Sequence, residues 1–226
     1  MTFGEHLADN NLKTKIPPRR VDEALDALKE SQPGAHCLVV YPDLMTLRAV
    51  YSQYTKIQLE DNNQIVLILP YYETTDMVRL ALSGRNVYDD KKGNNTFDYS
   101  GIELEKYEKE GSLMIIDSLK GYFPLEQGIK WGGDFMSFID VLLKDTKSRG
   151  KDGVAVLSDL GSFYHYGHNH SNEKLIEYEK SLPRKYDDMR LKGFCLYHQN
   201  DFEKHFSQEQ QVQLLEYQSR NIMLAC

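Results

Sequence analysis

The stretch His36-Cys37-Leu38-Val39-Val40-Tyr41-Pro42-Asp43-Leu44-Met45-Thr46 reads as a buried strand running straight into a loop and then a helix. In nucleotide-binding α/β proteins this junction is where a glycine-rich loop cradles phosphates on backbone amides. Here the glycines are missing. Nothing in the chain matches Gly-x-x-x-x-Gly-Lys-Ser/Thr, and the junction presents Tyr41, Pro42, Asp43 and Thr46 instead. The stretch therefore predicts a nucleotide-type frame without its phosphate chemistry.

Outward from this junction, strand and helix patterns alternate. Val21 to Lys29 has Val21, Leu25 and Leu28 at helical spacing, with Pro33-Gly34 closing it. Leu44, Leu47, Tyr51 and Tyr54 mark one face of a helix running to about Leu59. Ile65 to Leu69 is an unbroken aliphatic run, as expected of a strand buried on both faces. Thr74 or Thr75 can cap the next helix, and Leu113 to Ile116 and Val154 to Leu157 read as further core strands. A helix carries Phe135, Phe138, Ile139, Leu142 and Leu143, with Asp134 as its expected cap. Leu175, Ile176, Glu179 and Leu182 indicate another that Pro183 ends. Gly193 to Tyr197 is a fifth strand, Ser207 with Gln210 forms a capping box, and Ile222 to Leu224 is expected as a final edge strand. Such alternation implies a three-layer α/β/α domain with a mostly parallel sheet.

The totals fit one core: a polar lead-in over 1–20 and a single α/β domain over 21–226, with a charged surface insertion at about 85–100. The loop from Lys120 to Gly133, with Tyr122, Phe123 and Trp131, reads as a packing lid. No apolar run approaches the roughly 20 residues of a membrane span, and the start lacks the basic head and apolar segment of a secretory signal, so a cytoplasmic protein without membrane contact is expected. Three cysteines, Cys37, Cys195 and Cys226, form no Cys-x-x-Cys pair, which disfavours a zinc ribbon or disulfide framework. A net charge of −7 disfavours direct nucleic-acid binding.

In open parallel sheets, ligands bind beyond the carboxyl ends of the strands. Those ends supply the candidate ligand-binding residues Tyr41, Pro42, Asp43, Thr46, Tyr71, Tyr72, Glu73, Asp117, Asp159, Ser162 and His198. Aromatic faces mixed with a few acids suit a small organic ligand better than a triphosphate. Two alternatives remain open. A divergent ATPase with ATP and magnesium as cofactors would use Asp43, Thr46, Asp117 and Asp159. A transition-metal protein would use His165, His168 and His170 from the Tyr164–His170 run. No Gly-x-Ser-x-Gly elbow or Gly-x-Gly-x-x-Gly turn supports a serine hydrolase or a dinucleotide enzyme, and no catalytic residue is assigned.

Several segments together resemble one family: Ala35 to Tyr41, Tyr107-Glu108-Lys109-Glu110-Gly111-Ser112-Leu113-Met114-Ile115-Ile116-Asp117, Leu175 to Glu179, and Gly193-Phe194-Cys195-Leu196-Tyr197-His198-Gln199-Asn200-Asp201-Phe202. They are similar to the MEDS domain, the methanogen/methylotroph DcmR sensory domain, over about residues 20–224. The resemblance implies a RecA/KaiC-like fold with a degenerate phosphate loop. It also implies a non-catalytic sensory or regulatory role in signal transduction, exerted by binding a small organic ligand. With no output module in this sequence, signalling would run through a signalling or transcription partner protein, or through a homo-oligomer.

Overall fold

The structure is a computed structural model that describes residues 16–84, 101–124, 127, 135–165, 172–182 and 190–225. Its strands are β1 (Pro18–Arg19), β2 (His36–Tyr41), β3 (Ile65–Leu69), β4 (Leu113–Ile115), β5 (Val154–Asp159), β6 (Leu191–His198) and β7 (Arg220–Leu224). The helices are α1 (Val21–Lys29), α2 (Leu44–Glu60), α3 (Thr75–Leu82), α4 (Leu104–Lys109), α5 (Ser118–Tyr122), α6 (Phe135–Ser148), α7 (Gly161–His165), α8 (Asn172–Ser181), α9 (Gln199–His205) and α10 (Gln208–Glu216). The strands form one sheet in the order β1-β7-β2-β6-β5-β3-β4. Every pairing is parallel.

Both faces of this sheet are covered, which explains the continuous apolar runs. Along β2 the side chains alternate: Cys37, Val39 and Tyr41 enter the core beneath α1 to α4, whereas Leu38 and Val40 enter the core beneath α7 to α10. The β3 residues Val66 and Ile68 join the first core, while Ile65, Leu67 and Leu69 pack against Ile139 and Leu142 of α6 on the opposite face. Burying each such aliphatic side chain contributes about 1.5–3 kcal/mol. Helices α1 to α4 belong to connections that step towards the β4 edge, and α5 to α10 to connections that step back towards β1. Right-handed crossovers require the two sets to occupy opposite faces.

Two details differ from the sequence reading. Pro18–Arg19, within the stretch read as a polar lead-in with little regular structure, forms an edge strand in register with Met223 and Leu224. That addition moves β7, expected at the edge, to an interior position between β1 and β2. Local helix signals hold at atomic detail. Thr74 caps α3 by accepting the Met77 amide, and Ser207 and Gln210 cap α10 reciprocally. Among the described residues no helix is long and apolar enough to cross a membrane. The expected insertion at 85–100, Trp131, the cap Asp134, His168, His170 and Cys226 lie outside the described residues.

The strand order creates three crevices at the carboxyl edge. Connections leave β2 and β6 in opposite directions, and so do those leaving β5 and β3 and those leaving β3 and β4. Neighbouring strands whose connections diverge in this way leave a gap between their loops.

Candidate functional site

At the first crevice, the Tyr41 hydroxyl reaches past β6 and donates to Asp159 Oδ2 at 2.7 Å, while the Gly161 amide donates to Oδ1 at 3.0 Å. Tyr41 is fully buried and Asp159 only 3% exposed. Burial pushes the Asp159 carboxyl up to about 7, against the lowering effect of its two hydrogen bonds; the charges of Glu73 and Asp201 add to the rise. Burial likewise holds the Tyr41 phenol far above its ordinary range. Pro42 has no amide hydrogen to offer a phosphate, and Asp43 spends its carboxylate on the Thr46 amide at 2.8 Å as the cap of α2. The β2–α2 junction is thus closed by a tyrosine-aspartate contact and a capped helix. Ser162 is buried next to it, its hydroxyl without a partner among the described residues.

A cleft of about 530 Å³ opens beyond β3 and β4, lined chiefly by Tyr71, Tyr72, Glu73, Arg79, Asp117 and Lys120. Glu73 is held by Arg48 Nε at 2.8 Å and by the Tyr51 hydroxyl at 2.9 Å, which fixes one wall. Asp117 accepts the Leu119 and Lys120 amides and caps α5. Arg79 is engaged by Glu108 at 2.8 Å, and Lys120 is exposed. Tyr71 and Tyr72 meet edge to face at 5.0 Å. Gly161 allows this approach, because a Cβ there would lie 2.4 Å from the Tyr71 ring.

On the far side of Tyr72 lies a histidine cluster around Asp201 of α9. The Tyr72 hydroxyl donates to Asp201 Oδ2, His165 Nε2 lies 3.0 Å from the same oxygen, and His198 Nδ1 lies 3.9 Å from it. His205 Nε2 is 3.7 Å from Oδ1. Desolvation acts to raise the Asp201 pKa, but hydrogen bonds from Tyr72 and His165 outweigh it and hold the carboxyl below its usual range. Burial lowers the His205 pKa and favours the neutral ring, against the pull of Asp201. Aromatic faces brace the cluster: Tyr71 stacks on His165 at 5.8 Å and Tyr164 on His205 at 5.2 Å.

The predicted residues therefore fall into separate groups. Tyr41 and Asp159 form a closed contact, Ser162 is buried without a partner among the described residues, and Pro42, Asp43 and Thr46 belong to a helix entry. Tyr71, Tyr72, Glu73 and Asp117 line the cleft, with Tyr72 reaching on towards His198 and His165. Asp201 and His205 were missed, although His198-x-x-Asp201-x-x-x-His205 has the spacing of one helix face and could have identified them.

A second polar cluster lies inside the core and was also missed. His36 Nε2 sits 3.2 Å from Glu179 Oε2 and 3.2 Å from Cys195 Sγ. Glu179 also accepts the Tyr197 hydroxyl at 2.9 Å and the Gln218 amide at 2.6 Å. Burial raises the Glu179 pKa, but the His36, Cys195 and Tyr197 contacts more than offset this and leave it lowered. Burial pushes the Cys195 thiol well up, so it stays protonated. Cys195 is thus part of a polar network rather than simply a small hydrophobe. The signal was Glu179 itself, a charge on the apolar face defined by Leu175 and Leu182.

Compared with known proteins, the chain matches no family model and no curated sequence.

Proposed function

We propose that this chain is a non-catalytic sensory or regulatory domain of the RecA/KaiC-like, MEDS-type kind that binds a small organic ligand at the carboxyl edge of its sheet. The observation that carries the reading is the Tyr41–Asp159 contact. It occupies the phosphate-loop position with buried, mutually satisfied groups, while an open cleft of about 530 Å³ stands beside it. That cleft offers aromatic rings from Tyr71 and Tyr72, a fixed carboxylate at Glu73 and a cation at Lys120, a lining suited to a compact polar organic molecule. Of the residues an ATPase would need, Asp43 and Asp117 already cap helices, and Asp159 is buried against Tyr41.

Signalling follows when the ligand binds one arrangement of these loops more tightly than another, which shifts the population presented to a partner protein or a second copy. Native mass spectrometry of the protein purified from cells tests the reading. A retained small molecule that is lost from Lys120→Glu, with far-ultraviolet circular dichroism unchanged, is the expected result. Calorimetry supplies the opposing outcome: magnesium-dependent ATP binding at micromolar affinity, about −8 kcal/mol, would overturn it in favour of the nucleotide enzyme.

A further inference from the structure

The strongest unassigned chemistry lies in the cluster around Asp201. We propose that His165, Asp201 and His205 form a binding site for a divalent transition-metal ion, with zinc the natural occupant and one or more coordination positions left open. The ligating atoms His165 Nε2, a carboxylate oxygen of Asp201 and His205 Nε2 all lie within 4.8 Å of one another. Nitrogen and oxygen ligands bound at 2.0–2.2 Å stand roughly 3.0–3.5 Å apart around a shared zinc ion. Here the carboxylate oxygens are 3.0 Å from His165 Nε2 and 3.7 Å from His205 Nε2, so small side-chain rotations suffice.

The donor set comes from two elements, as zinc sites usually do. Asp201 and His205 are four residues apart on α9 and share a face, and His165 arrives at the end of α7. The sequence reading placed the metal among His165, His168 and His170 of one loop; of these, His165 lies among the described residues, and there it meets a carboxylate and an imidazole from α9. Two further features point to an ion. His205 Nε2 is buried and has no hydrogen-bond partner among the described residues, although Asp201 lies just beyond hydrogen-bond reach. His198 Nδ1 is in the same condition at the rim, 3.9 Å from Asp201.

Outer contacts are in place as well. The Tyr72 hydroxyl orients the carboxylate, and the rings of Tyr71 and Tyr164 hold His165 and His205 by stacking. Two neutral imidazoles and one carboxylate leave a bound divalent ion with a net positive charge and room for an exchangeable ligand. Among the described residues the buried His36–Glu179–Cys195 group is a competing site. It is sealed in the core, its carboxylate is already supplied with donors by Tyr197 and Gln218, and its thiol is protonated.

Titration of cobalt(II) and zinc(II) into tag-free, chelator-treated protein decides the matter. The expected result is one equivalent of cobalt with visible ligand-field bands and no thiolate charge-transfer band, displaced by zinc. Affinity should fall on the order of 100-fold or more in His205→Ala and in Asp201→Asn, and about 10-fold in Tyr72→Phe, each with unchanged circular dichroism. Cys195→Ser should bind as the parent does. The proposal is overturned if the folded parent binds neither metal, if binding survives in both Asp201→Asn and His205→Ala, or if cobalt shows thiolate charge transfer that Cys195→Ser abolishes. Because Lys120 is not among the ligands, loss of a retained organic molecule in Lys120→Glu and loss of metal in His205→Ala report on the two proposals separately.

Discussion

Asp159→Asn should make the protein more stable at pH 8 and leave it unchanged near pH 4. Asp159 is buried beneath the Tyr41 hydroxyl and the Gly161 amide, and its carboxyl is raised from 3.8 to about 7. For an acid, a raised folded-state pKa means that the native protein binds more protons than the unfolded chain between those two values. Stability from this group is therefore complete below about pH 4 and declines as pH rises towards 7. Above that, the native state carries a penalty of roughly 4 kcal/mol, as an order of magnitude. Asparagine copies the protonated acid: its oxygen can accept the Gly161 amide, and its amide can donate to the Tyr41 oxygen. Urea unfolding of parent and variant at pH 4, 6 and 8, with slopes checked for equality, measures the difference. A gain of several kcal/mol at pH 8 that shrinks to nothing by pH 4 is expected. A difference independent of pH would refute the argument, because the cost would then not come from ionising Asp159.

Four further outcomes follow from other contacts in the fold. Glu179→Leu strands the Tyr197 hydroxyl, the Gln218 amide and His36 in the core, and should cost about 3–5 kcal/mol by denaturant unfolding. Because the Glu179 pKa is lowered in the fold, its own contribution in the parent should be present above the ordinary carboxylate pKa and be lost as pH falls below it, which a pH series of the same curves detects. Asp43→Ala removes the cap of α2 and should cost about 1 kcal/mol in stability while leaving metal affinity and any retained ligand untouched, the signature of a cap rather than a ligand. Gly161→Ala places a Cβ 2.4 Å from the Tyr71 ring and 2.8 Å from the Tyr72 ring; it should cost about 1–3 kcal/mol and weaken cobalt binding by displacing the rings that brace His165 and Asp201.

What could be read from the sequence was what local burial writes into it. A strand covered on both faces is apolar at most of its positions, so Cys37–Tyr41, Ile65–Leu69 and Val154–Leu157 announce themselves, and helices between them oblige the sheet to be parallel. Caps such as Ser207 with Gln210 are equally local and equally visible. The absence of a glycine-rich turn from Tyr41 to Thr46 was legible for the same reason. Tertiary structure alone decided which strand ends become neighbours, since strand order depends on packing between distant segments. It inserted β7 beside β2, brought Tyr41 to Asp159 across an intervening strand, and sealed His36 against Glu179 from 143 positions away. It also carried His165 to Asp201 and His205. An imidazole or carboxylate looks the same in the sequence whether it faces water or converges with others, and only the folded chain distinguishes the two.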